Sequence, residues 1–397
     1  MPWSVNEFRT VWGFALIGFA NTILPSIVHG ANYLIIPYPR HIVLLIELLP
    51  VLLTKLTLPF VIHRIPCRVR PLAVAACWFI AKNVADATPP NVPPPARIAT
   101  SVLASVASAA TEVSCLGTIG QAGLPGLAGW GIGTGAGLLE NAVWPFFLTY
   151  GTGKVLRSGT GYVYYLVALS LVSHFLILPP TLMTNRRIRD EQDQRKDAEE
   201  GRSFDRRADD RPRSSSPKVP GTRSKGFRVL IKSDMPLLFV ASGSASLLRY
   251  GLARSLDGST FKTYSYFITV YGASLHLGTW MGRSSIRFFR VQNLRGLVVA
   301  LGTWTLAAFF NAVLFTSTYI AFVLVFLIGL AGGLVYVNVL ARVVEETGDS
   351  AERGFVLGLV TAGEAGGAVV GGVFGALLDM LMCVSLVGKT RWCHRAQ

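Results

Sequence analysis

The sequence predicts an all-α polytopic membrane protein with about 11 transmembrane helices arranged in two groups. Three observations carry this reading. Apolar residues make up 51% of the 397 residues and charged ones only 15%, against roughly a quarter in soluble domains, and the mean hydropathy is +0.47. The charge is concentrated: of 37 basic and 22 acidic side chains, 15 and 9 fall within residues 183–232. Elsewhere the apolar stretches are long and continuous, unlike the alternating ten-residue segments of a transmembrane barrel. A soluble enzyme, a secreted disulfide scaffold and a wholly disordered chain are excluded.

Spans of sufficient apolar length fall at about 11–36, 41–62, 70–87, 98–121, 127–150 and 160–182. A second series falls at about 234–252, 263–281, 296–317, 319–342 and 354–380. They define a transmembrane half over 1–182 and another over 233–397. The Arg/Asp/Ser-rich loop between them, with Pro212, Pro217 and Pro220, is expected to be disordered because it holds too little apolar surface to bury. Arg64, Arg68 and Arg70 follow the second span, and Arg283, Arg287, Arg290 and Arg295 follow the eighth. Together with the loop they mark one face as cytoplasmic by the positive-inside rule. Eleven spans then put the basic Lys389–Arg395 segment on the opposite face, a conflict that a twelfth span would remove.

Ionisable groups within spans require a partner or a polar cavity. In the first span Asn21 is the polar candidate. In the second, Glu47 and Lys55 share a face but lie about 12 Å apart at 1.5 Å per residue, so each needs partners on other helices. The fourth span carries Ser101, Ser105, Ser108, Glu112 and Cys115 on one stripe. Its serines favour close helix packing, while Glu112 is the best candidate for a buried functional carboxylate. The fifth span holds glycines at every second position from Gly129 to Gly137. With no strand before them they are packing glycines, Gly133 and Gly137 among them, and not a dinucleotide site.

His174 and His276 lie in apolar runs, where packing is the more common role. In the tenth span Asn338, Arg342 and Glu346 are spaced four apart and are candidates for a gate at the cytoplasmic end, although a structural ion pair is the more common reading. The eleventh span presents Gly363, Gly367, Gly371, Gly375 and Asp379 as one ridge, with Glu364 about 100° away and in need of its own partner. The five cysteines are odd in number and form no CxxC pair, so neither a disulfide framework nor a zinc site is expected. No catalytic constellation, metal site or cofactor motif is expected, and a net charge of +15 spread over membrane-adjacent loops does not indicate nucleic acid.

Several blocks resemble the battenin family: Glu47–Arg64 (ELLPVLLTKLTLPFVIHR), Thr111–Leu116, the glycine run Gly129–Leu139, Arg283–Arg287 (RSSIR), and Gly329–Asp379 with its YVN-to-EETGD stretch. The resemblance implies a major facilitator-like two-half bundle in a lysosomal or vacuolar membrane. It also implies roles in organelle pH homeostasis and in transport of basic amino acids or related small solutes. Departures from the family pattern are a single Asn21 where an asparagine pair is usual, a short lumenal loop after it, Glu47 in place of an aspartate, the absence of a Glu-Tyr segment around Ser242–Leu252, and Glu140, which has no counterpart in the usual glycine-rich motif. On this reading Asn21, Glu47, Lys55 and Glu112 are transport-pathway candidates, and the partners are the lipid bilayer, a small solute and protons. The rival reading is a non-transporting membrane scaffold that regulates the vacuolar proton pump or vesicle traffic.

Overall fold

The structure is a computed structural model and describes residues 4–32, 38–87, 94–152, 161–182, 223–348, 350–385 and 391–395. Among these residues, six helices form the first half: α1 (Val5–Asn32), α2 (Arg40–Val61), α3 (Val69–Ala87), α4 (Pro94–Ala122), α5 (Leu124–Thr152) and the shorter α6 (Tyr162–Val172). Five form the second: α7 (Arg223–Leu247), α8 (Tyr264–Ser284), α9 (Leu294–Phe310), α10 (Thr318–Glu346) and α11 (Ser350–Ser385). A single turn, α12 (Trp392–Arg395), follows them. Wider π-type turns extend α6, α7 and α9. Among the described residues there is no strand, only one isolated antiparallel bridge between Asp257 and Arg391. Among the described residues, six helices are by themselves long and apolar enough to cross a membrane.

Two boundaries differ from expectation. The predicted loop extended to residue 232, but Arg223–Lys232 is the start of α7. Lys and Arg are good helix formers, so a helix can run past the apolar window that sequence reading detects. The rest of that loop, including Ser214–Ser216, lies outside the described residues. The chain also enters α1 earlier than the apolar run suggests. Ser4 Oγ accepts from the Glu7 backbone N–H at 3.2 Å and Glu7 accepts from the Ser4 N–H at 3.0 Å, a reciprocal cap that satisfies two otherwise orphaned donors.

Small residues decide which helices touch. The glycine run of α5 divides between two neighbours: a methyl group at Gly129 or Gly133 would overlap the carbonyls of Val11 or Ala15 on α1, and one at Gly137 would crowd Thr22. Gly131 and Gly135 instead face Arg283 and Trp280 of α8. On α11, Gly363, Gly367 and Gly371 lie against the backbone of α7 at Met235, Phe239 and Gly243, and Gly375 lies against Leu247 and Gly251. Such backbone-to-backbone approach replaces hydrophobic drive in lipid, where tails are as apolar as leucine. The halves meet where α5 packs on α8 and where α2 and α4 pack on α11.

The buried side chains form three clusters with unequal reach. One includes Phe14, Leu116, Ile119, Leu127 and Trp130 of the first half with Leu238, Ile286, Val339 and Val360 of the second. It lies toward the end of the bundle that carries Arg64–Arg70, Arg283–Arg295 and Arg342, called here the basic end. The other two clusters are confined to single halves. One groups Leu248, Phe267, Tyr271 and Met382, and the other Ile23, Val28, Trp78 and Val167. The halves therefore share a core at the basic end and keep separate cores at the opposite end.

Candidate functional site

Between the halves, four ionisable side chains from four helices form one chain of contacts. Lys55 of α2 is 2% exposed. Its Nζ donates to Glu112 Oε1 of α4 at 2.9 Å and to Glu364 Oε2 of α11 at 3.3 Å. The other oxygen of Glu364 accepts from an Arg283 guanidinium nitrogen at 2.7 Å. Arg283, near the end of α8, also donates to Thr134 Oγ1 of α5 at 3.1 Å and sits 3.9 Å from the centre of the Tyr336 ring of α10. The Tyr336 hydroxyl accepts from Trp130 Nε1 at 3.1 Å.

With all four groups ionised the formal charges cancel, which is what makes burial tolerable: an unpaired ion inside the bilayer costs several kcal/mol. The arrangement is also shared in a specific way. Lys55 bridges an acid of its own half and an acid of the other half, and Glu364 in turn lies between cations of both halves. Separating the halves at this level must break the Lys55–Glu364 and Arg283–Thr134 contacts. Exchange of one ion pair for another, or protonation of a carboxylate, changes which halves are tied.

Sequence reading brought only part of this together. Lys55 and Glu112 were both candidates and pair directly. Glu364 was noted as lacking a partner and has two. The positive-inside pattern places Arg283 in a loop after the eighth span; it is instead a last-turn residue of α8, with its side chain only 11% exposed. Charge counting was the available signal. Glu112 and Glu364 together against Lys55 leave one carboxylate in need of a second cation, and Arg283 closes an apolar run.

Glu47 and Asn21 lie elsewhere. Glu47 Oε1 is 3.7 Å from His29 Nδ1 of α1. Ser105 Oγ donates to the Glu47 carbonyl at 2.6 Å and lies 3.3 Å from His29 Nε2. These contacts are made within the first half, about two turns of α2 from Lys55 toward the opposite end, with Arg249 of the second half within electrostatic reach of Glu47. Asn21 lines a cavity of about 20 Å³ with Arg70, Trp78, Thr111, Ser114 and His174, room for about one water. That cavity sits inside the first half, so Asn21 is not in the crevice between the halves.

The gate candidates also separate. Arg342 Nε donates to Glu346 at 2.7 Å and a second guanidinium nitrogen donates to Asp234 Oδ1 of α7 at 3.4 Å. Asn338, buried, instead accepts from the Val291 backbone N–H at 3.1 Å and holds the turn between α8 and α9. All these groups lie in the second half, so they clasp α10 to α7 and do not bridge the halves. The contacts that do cross the basic end are different. A methyl group on Gly354 of α11 would lie 3.0 Å from the Gly117 Cα of α4. Arg353 donates to the Gly120 carbonyl of α4 at 3.0 Å and to the Thr347 carbonyl at 2.9 Å. Phe60 and Phe355 meet edge-to-face with ring centres 5.1 Å apart.

Helix order, the two-half division and the charged crevice define a polytopic membrane protein of the major facilitator architecture. The fold matches the crystal structure of the human organic anion transporter MFSD10 with a TM-score of 0.62, covering 98% of this chain and 96% of that one at 18% identity. By sequence, residues 12–385 match the family model described as CLN3 protein, and the chain belongs to that family, the battenin family. Protein btn-1 of Neurospora crassa is 30% identical, covering 96% of this chain and 90% of that one. Protein BTN1 of Chaetomium globosum is 29% identical over 99% and 92%, and protein btn1 of Aspergillus fumigatus 28% identical over 98% and 91%.

Proposed function

We propose that this protein is a vacuolar, lysosome-like membrane transporter for small solutes of the basic amino acid kind, working by alternating access and contributing to organelle pH homeostasis. The observation that carries the reading is the Lys55–Glu112–Glu364–Arg283 chain, a buried set of exchangeable ion pairs that joins both halves in a facilitator fold. With the basic end taken as cytoplasmic, the shared core and the Gly117–Gly354 contact close the cytoplasmic side, and the separate cores leave the lumenal side free to part. Opening toward the cytoplasm draws α4 from α11, and with them Glu112 from Glu364. A solute charge or a proton that substitutes for one of these contacts would lower the barrier to that step. This ties occupancy to the direction of access, as alternating access requires.

The test is uptake of labelled arginine or lysine into vesicles containing the purified protein, with and without an imposed pH gradient. Uptake above protein-free vesicles that responds to the gradient supports the transporter. No uptake by folded protein, together with altered proton-pump activity in co-reconstituted vesicles, supports the scaffold reading.

A further inference from the structure

We propose that residues 391–395 form a disulfide-closed lid on the lumenal end of the second half, holding α11 to its own half while the halves rock. Cys383, in the last turn of α11, is bonded to Cys393 across a Cα–Cα distance of 5.4 Å, although the odd cysteine count gave no reason to expect a bridge. The lid is built by more than this bond. The Arg391 guanidinium donates to the carbonyls of Ser255, Ala312 and Val313 at 3.3, 3.1 and 3.1 Å. These lie just past the end of α7 and in the final turn of α9, where helix carbonyls otherwise lack donors. The Trp392 N–H donates to the Leu256 carbonyl at 3.3 Å. Its indole, 3% exposed, packs on Tyr264 and Phe267 at ring-centre distances of 5.4 and 5.5 Å. One short segment thus ties together α7, α8, α9 and α11.

Two independent features place this lid in the lumen. An odd number of crossings separates it from the basic end, and a disulfide persists in an oxidising compartment but not in the cytosol. Cys67, beside the basic loop after α2, is a free thiol. The positive charge at Arg391 is no contrary topological signal, because three backbone carbonyls occupy it. In forming the bond each thiol loses a proton, and together they pass two electrons to a disulfide of the secretory pathway, which is reduced to two thiols by exchange.

The placement rests on the orientation proposed above, and the experiment separates the two. Sealed vacuoles are treated with a membrane-impermeant maleimide, then permeabilised, with and without reductant, and labelled peptides are mapped. Cys67 labelling before permeabilisation reports the orientation alone. Labelling of Cys383 and Cys393 only after both permeabilisation and reduction supports the lid. Labelling of either in sealed vacuoles without reductant overturns it, whatever Cys67 does. In detergent, reductant should lower the melting temperature of the wild-type protein by several degrees and leave a Cys383→Ser, Cys393→Ser variant unmoved. An equal response in both, or none in the wild type, removes the anchoring role. The wild-type measurement stands even where the variant folds poorly.

Discussion

Replacing Lys55 by Met leaves Glu112 and Glu364 facing the place of a lost ammonium, deep between the halves. Breaking a buried pair by removing one partner destabilises by roughly 3–5 kcal/mol, so Lys55→Met should give a large loss of melting temperature and abundance. Adding Glu112→Gln should recover part of it, because Glu364 keeps Arg283. Glu112→Gln alone leaves Lys55 bound to Glu364. It should spare abundance and location while abolishing pH-dependent transport, and unchanged transport across about pH 5–7 would reduce Glu112 to a packing residue. Arg342 behaves differently. Its pair with Glu346 is half exposed and worth only about 0.3–0.5 kcal/mol. Asp234, however, has a fully buried side chain, and among the described residues its cationic partner is Arg342. Arg342→Ala should therefore destabilise more than Glu346→Ala, and Asp234→Asn should rescue much of the difference. Equal melting temperatures for the two single variants would show that Asp234 does not depend on Arg342.

For an isolated helix the controlling feature is the glycine that admits a neighbour. Gly133→Ala places a methyl group inside the Ala15 carbonyl of α1 and should force the helices apart, lowering the melting temperature by several degrees or more. Gly302→Ala on α9 meets nothing within 4 Å and should be neutral or slightly stabilising, since alanine is the better helix former. Matching losses at both sites would mean that helix propensity, not close approach, governs these positions. The helices themselves were largely legible from the sequence, because apolar length is a strong signal in lipid and each expected span corresponds to one of the long helices. Their charged or capped ends were not: the start of α7 at Arg223 and the Ser4–Glu7 cap of α1 depend on local hydrogen bonding beyond the apolar window. In the site, intrahelical spacing correctly implied that Glu47 and Lys55 cannot pair. It could not say that Arg283, 228 positions after Lys55 in the chain, would close the same network, because no periodicity connects separate helices.

Across the whole molecule, closure at the basic end should be separable from chemistry in the crevice. Cysteines placed at both Phe60 and Phe355, bridged by a short bifunctional maleimide, should stop transport by holding α2 against α11, and either cysteine alone should permit it. Persistent transport by the bridged protein would show that these helices need not part. The uneven partition of buried apolar groups has a consequence for assembly. The two clusters remote from the basic end are each contained in one contiguous stretch of chain, so each stretch can acquire its own packing before the other is synthesised. Only the common cluster requires both. A chain severed between residues 200 and 201 and expressed as two polypeptides should accordingly reunite in the membrane into an active pair, with the junction forming last and at the basic end. Substitutions in the common cluster, such as Leu116→Ala or Val339→Ala, should weaken that reunion far more than they weaken the uncut protein, where covalent linkage keeps the partners at high local concentration.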